Sequence, residues 1–439
     1  MALPPRRSAL AAALAATATA ISLAAAPVAT SAVAASSPAS GGSGGFSPAI
    51  STGPHGRFVG LVDTTDPDTH FSCQDDAGCY SPAQMRAAYG FNKLDVDGTG
   101  RTIVIVDAFQ SPTINQDLAL FDQVFGLPDS TLNVIAPDGL TPFDDNDTNQ
   151  VGWAGEITLD VEWAHAIAPG ATIDLVLARS NNDADILSAT RYAVDHDLGD
   201  VISQSFGEGE TCMDPALVKA QHAVFRQAVS QDITLLASSG DQGAAQQNCT
   251  GPGYFKSAST PATDPYVTAV GGTRLVADSS GSYESEQAWD EVSTFGDAGG
   301  GFSTLYGTPR FQKKLHLPSR AVPDVAYNAG IDGGVLAVFS VPLGQPAFFR
   351  FGGTSAGSPQ WAGLVADAAQ MNGGRVGYLN DRLYAWGRGA RLADRLFHDV
   401  TAGDNDFGSI AGYSAGPGWD AVTGLGSPKA DALVPQLAQ

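Results

Sequence analysis

The chain has 439 residues, 43% hydrophobic, with a formal net charge of −23. So acidic a surface repels nucleic acid and anionic membranes, and excludes both as partners. After the first residues, no run approaches the ~18 apolar residues that a membrane-spanning helix needs.

The opening "MALPPRRSALAAALAATATAISLAAAPVATSAVAA" sets Arg6 and Arg7 before an Ala-rich stretch that ends in small residues. That is the layout of a secretory signal peptide over 1–34, and the protein is expected outside the cell. Residues 35–72, Ser/Gly/Pro-rich, read as a flexible linker. Four cysteines suit an oxidising compartment. Cys73–Cys79 and Cys212–Cys249 are the expected pairs, although sequence leaves three pairings open. No spacing resembles a zinc site.

From "YSPAQMRAAYGF", a capped helix, strands and helices alternate. "RTIVIVDAF", "LNVIAP", "ATIDLVLA", "DVISQSFG" and "TLLASS" read as strands. "PTINQDLALFDQVFGL", "GEITLDVEWAHAIAP", "NDADILSATRYAVDHDLG" and "DPALVKAQHAVFRQAVSQDI" read as helices. Short strands apolar throughout, separated by amphipathic helices, predict an α/β fold: a doubly wound, mostly parallel sheet covered on both faces. We expect one domain over 73–439. Ligands of such sheets sit at the carboxyl ends of the strands. Asp107, Ser205 and Asp241 stand at three of those ends.

"FGGTSAGSPQWAG" raises the question of a nucleophile at Ser355. Gly353 to Gly357 formally matches the G-x-S-x-G elbow of α/β-hydrolases. That reading needs a histidine downstream, and only His398 follows. The longer pattern Gly353-Thr354-Ser355, Pro359, Ala362-Gly363 resembles the serine motif of the subtilisin clan. Ser355 then opens a helix, its backbone N–H aimed at an oxyanion with help from the helix N-terminus. Pro359 is placed in the first turn, where amides have no intrahelical partner. A subtilisin also needs an H-G-T-H histidine after the first strand. None exists, and His165 is the one histidine on the expected helix.

That helix carries Glu156 and Asp160 at i and i+4, adjacent on one face. Two exposed acids are the plain reading in so acidic a chain. The position, where the subtilisin histidine stands, argues otherwise. With "YSPAQMRAAYGF", "GEITLDVEWAHAIAPGA", "VISQSFG", "SSGDQGA", "PYVTAVGGT", "GGTSAGSP" and "AGPGWDAVTGLGSP", the chain resembles the sedolisins, the kumamolisin-like serine-carboxyl peptidases, over about residues 80–439.

The resemblance implies a subtilisin-like fold and an acid-active endopeptidase acting as a monomer on polypeptide substrates. Ser355 is then the nucleophile, Glu156 its general base, Asp160 the residue orienting Glu156, and Asp241 the oxyanion donor. It also implies one structural calcium ion, held by Asp399, Val400, Gly416, Gly418 and Asp420. Carboxylate and carbonyl oxygens are what calcium takes. Two alternatives stand beside this: a catalytically silent relative acting as a binding protein, and a histidine-dependent serine hydrolase. The family's propeptide domain has no counterpart between Ala34 and Tyr80, which leaves folding and activation open.

Overall fold

In the computed structural model, the structure describes residues 47–48, 56–62, 78–291 and 296–439. The signal segment 1–34 and Cys73 lie outside the described residues. Strand Thr102–Ala108 shows how the chain builds its centre. Its side chains alternate, Ile103 and Ile105 entering one apolar cluster and Val104 and Val106 another. Period-two alternation with apolar residues on both sides means that both faces are covered.

The eight-stranded sheet runs Tyr283–Ala288, Thr268–Ala277, Thr234–Ser238, Val201–Gln204, Thr102–Ala108, Thr172–Ala178 and Thr131–Ile135, with Val325–Asn328 also on Thr268–Ala277. Only Tyr283–Ala288 pairs antiparallel. Helices Thr148–Ile167 and Thr354–Asn372 pack on one face and on each other. Helices Asp183–Asp195 and Pro215–Ser230 cover the other. The doubly wound, mostly parallel α/β expectation therefore holds.

Several boundaries differ from the sequence reading. Helix Thr148–Ile167 starts about two turns before "GEITL", because Asp147 caps it by accepting the Asn149 N–H at 2.9 Å. The strand read through "DVISQSFG" breaks at Ser205 into Val201–Gln204 and Phe206–Gly209. The second piece leaves the main sheet to pair antiparallel with Ser259–Thr260 and Ser47–Pro48. The expected linker also contributes structure. Arg57–Leu61 joins a sheet with Ala347–Phe351, Gly334–Val338 and Cys79–Tyr80, where Phe58 meets Phe349 edge to face at 5.9 Å. Of the apolar residues of "RFVGL", Val59 packs against the core, while Phe58 and Leu61 stay more than half exposed. Cys212 and Cys249 form a disulfide.

Candidate active site

Helix Thr148–Ile167 is buried on nearly all sides, with Trp153, Ile157, Leu159, Val161 and Trp163 fully covered. Polar residues on such a helix need partners, and its four ionisable residues divide into two kinds. Glu162 accepts the Val338 N–H at 2.9 Å. His165 sets Nε2 3.0 Å from both Pro128 O and Asp122 Oδ1. Glu156 and Asp160 are equally buried, yet no oxygen of either has a hydrogen bond of good geometry.

Other elements bring their polar groups to this pair. Asp107, next to last in its strand, is fully buried with both oxygens unpaired; the Asp160 charge acts on it, and its own charge acts on Glu156. Ser205 lies where the Val201–Gln204 strand ends and acts on Asp160 as a hydrogen-bonding hydroxyl. Ser355, second residue of its helix, is fully buried. Its hydroxyl points to Ser205 O at 3.4 Å and lies near enough to Glu156 to favour the charged carboxylate.

The serine helix obeys two local constraints. Gly353, its N-cap, has φ +93, and a Cβ there would sit 2.5 Å from Asp241 Oδ2. Only glycine fits. Pro359 lies beyond the first turn, at the sixth helical residue. The hydrogen bond it removes would have gone to Ser355 O, four residues back. That carbonyl is instead within 3.5 Å of Ser205 Oγ.

Asp241 follows strand Thr234–Ser238 and is 1% exposed. Its Oδ1 accepts both the Thr354 N–H at 2.8 Å and the Thr354 hydroxyl at 2.7 Å. Oδ2 has no partner. Burial pushes this carboxyl up to about 7, against the pull of Thr354. Burial first, then like charge, holds Glu156 and Asp107 well above the usual carboxylate range, and burial does the same for Asp160. Three acids packed together, with no cation among the described residues pairing them, share protons and titrate as a unit.

The structure thus gathers Glu156, Asp160, Asp241 and Ser355 at the carboxyl ends of the strands. Asp107 is the residue missed as a member of the group: its place at a strand end was legible, its neighbours were not. His165 and His398 take no part. His165 is committed to Asp122, and His398 stacks on Tyr283 at 3.7 Å with burial lowering its pKa to about 4.

The loop near the C-terminus brings the other predicted group together. Asp399 accepts the Gly418 N–H at 3.0 and 3.1 Å from its two oxygens. Asp420 accepts from Gly416, Val422 and Thr423 at 2.8–2.9 Å. The Thr423 hydroxyl spans Val400 O and Asp420. Asp399, Val400 and the turn from Gly416 to Thr423, two chain segments, thus meet in one place, and burial raises the Asp420 pKa. Such an oxygen-only donor set fits calcium, a hard cation. Among the described residues no group of three His, Cys, Asp or Glu clusters for a metal.

A mostly parallel, doubly wound sheet with a helix-opening serine at its strand ends is a subtilisin-like fold. A model of the subtilase family matches residues 145–386, which include Glu156, Asp160, Asp241 and Ser355. The chain belongs to the subtilase family, and its relatives place it in the sedolisin branch. Kumamolisin of Bacillus sp. (strain MN-32) is 37% identical over 377 residues, 82% of this chain and 64% of that protein. Sedolisin of Pseudomonas sp. (strain 101) is 33% identical over 362 residues, covering 79% of this chain and 59% of its own length. This chain therefore spans about three-fifths of those relatives. The solved Pseudomonas sedolisin, a serine-carboxyl proteinase complexed with two molecules of pseudo-iodotyrostatin, superposes with a TM-score of 0.72 at 28% identity, over 82% of this chain and 98% of that one.

Proposed function

We propose that the protein is a secreted serine-carboxyl endopeptidase that cleaves polypeptides in acid through an acyl-enzyme on Ser355. The observation that carries the reading is a buried serine hydroxyl beside Glu156, in a carboxyl cluster that no histidine among the described residues reaches. Secretion rests on the signal-like sequence of residues 1–34. Among the described residues no helix is long and apolar enough to cross a membrane.

With one negative charge on the Asp107–Glu156–Asp160 cluster, Glu156 takes the Ser355 proton as Oγ attacks the substrate carbonyl. Asp160 and Asp107, protonated, hold the carboxylate in place and spread its charge. The developing oxyanion receives hydrogen bonds from the Asp241 carboxyl. Because Oδ1 is saturated by Thr354, the proton resides on Oδ2. Glu156 returns its proton to the leaving amine, and water repeats the sequence on the acyl-enzyme. A calcium ion held by Asp399, Val400, Gly416, Gly418 and Asp420 would tie two segments of the C-terminal loop together. It supplies rigidity, not chemistry.

The test is a pH profile of kcat/KM with variants. Activity rises with the first ionisation of the cluster and falls as Asp241 loses its proton near 7, so the optimum lies below neutrality. Ser355→Ala abolishes turnover, and Glu156→Gln costs on the order of a hundredfold or more. His165→Gln leaves activity little changed. An optimum above pH 7 together with loss of activity in His165→Gln would replace this mechanism with a histidine-dependent one.

A further inference from the structure

Strand Phe206–Gly209 leaves the site directly after Ser205, whose carbonyl lies 3.4 Å from Ser355 Oγ. One edge of the strand pairs with Ser259–Thr260. The other edge pairs antiparallel with a segment from the chain's own N-terminal region, Ser47 opposite Gly207 and Pro48 opposite Phe206. That edge accepts an extended backbone, as strand addition requires, and a substrate that displaces Ser47–Pro48 from it is read in the same register. The residue opposite Ser205 is the one beside the nucleophile, hence the acyl donor. Counting back along an antiparallel partner, the second residue faces Phe206, the third Gly207 and the fourth Glu208. Directly opposed residues place their side chains on the same face.

Glu208 is 9% exposed, and its Oε1 has no hydrogen-bond partner among the described residues. The charge acting on it is Asp183, first residue of helix Asp183–Asp195. Asp183 is 5% exposed, also with an unpaired oxygen, and Asp214 at the cap of the next helix adds its own negative charge there. Buried carboxyls of one sign without a counter-charge are costly, and an incoming cation relieves them. Neither residue belongs to the carboxyl cluster around Ser355.

Resting on the peptidase reading of Ser355, we infer that Glu208 and Asp183 form a specificity subsite for a basic side chain, lysine or arginine, at the fourth residue on the acyl side of the scissile bond. Burial pushes the empty Glu208 up to about 8 and Asp183 to about 6, with Asp183 acting on Glu208 and Asp214 on Asp183. An ammonium group favours their ionised forms, so discrimination grows as pH rises.

The experiment compares two peptides that differ only in lysine or norleucine at that fourth position. Purified full-length enzyme cleaves each at pH 4 and pH 6, and the readout is the ratio of kcat/KM. Both peptides meet the same catalytic groups, so the ratio cancels their titration. Lysine is expected to lead by about tenfold at pH 6, the size of one hydrogen bond to a charged group, and by less at pH 4. Glu208→Gln should bring the ratio within about twofold at both pH values, while Glu208→Asp keeps its direction. Equal cleavage of the two peptides by the wild type at pH 6, or a preference that survives Glu208→Gln, overturns the subsite alone. Failure of the wild type to cleave either peptide, or any denatured protein in acid, overturns the peptidase reading and the subsite with it.

Discussion

At the scale of single residues, Asp241 gives its two oxygens different tasks. Oδ1 is consumed by Thr354 and Oδ2 is left free, so this carboxyl imitates an amide for as long as it stays protonated. Asp241→Asn should therefore extend activity upward. The side-chain carbonyl accepts from Thr354 and the NH₂ donates to the oxyanion at every pH. We expect the alkaline limb near 7 to move to higher pH, whereas Asp241→Ala loses on the order of a hundredfold at all pH values. Steady-state kcat/KM from pH 3 to 8 decides between them, and an unmoved alkaline limb in the Asn variant removes Asp241 from the oxyanion role. Much of this was legible beforehand. The i, i+4 spacing puts Glu156 and Asp160 on one helix face whatever the fold, and the pattern around Ser355 marks a helix start. Asp107 was legible only as a strand end, because its proximity to Asp160 depends on how the helix lies on the sheet, which no local pattern specifies.

Among the elements, strands of the parallel sheet were easy to read because burial on both faces makes them apolar throughout. Helix Thr148–Ile167 was harder at its start, since Asp147 caps it well before the apolar run begins. The short antiparallel strands were not separable from loops. Phe206–Gly209 and Arg57–Leu61 have two glycines and one glycine respectively, and pair only with distant segments. The C-terminal loop carries a prediction of its own. Asp399 and Asp420 hold this loop from both sides through glycine N–H groups, and a calcium ion held by both would stabilise the native state alone. Chelation should lower the melting temperature, and calcium in excess should restore it in proportion to ln(1 + [Ca]/Kd). Asp420→Ala should melt lower and lose the response to both treatments. A wild-type melting curve indifferent to chelator and calcium, measured by calorimetry, sinks the assignment.

The whole molecule is set against neutral pH by the same burial that builds the site. Glu208 and Asp297 are pushed up to about 8 and Asp241 to about 7, all chiefly by burial, and Glu162, Asp367 and Glu286 are raised as well. In the unfolded chain these carboxyls titrate near 4. Between that value and the folded one the native state holds more protons than the unfolded state, so stability must fall as pH rises. It is fully present below about 4 and lost through the window up to about 8. The formal charge of −23 adds self-repulsion in the same direction as carboxyls ionise. A few exposed acids work oppositely: hydrogen bonds from Asn146 lower Asp144 and those from Ser280 and Ser282 lower Asp278, but their effect is spent below about 4. We therefore expect the free energy of unfolding, measured by denaturant titration at fixed calcium, to peak in acid and decline from pH 4 to pH 8. Asp297 offers the sharpest check, because it is fully buried with neither oxygen hydrogen-bonded. Asp297→Asn stays neutral at every pH and should flatten that decline by up to one proton's worth, about 1.4 kcal/mol per pH unit. A profile that rises toward pH 8, or a slope that the Asn variant leaves untouched, would show that these carboxyls enter the native state already charged.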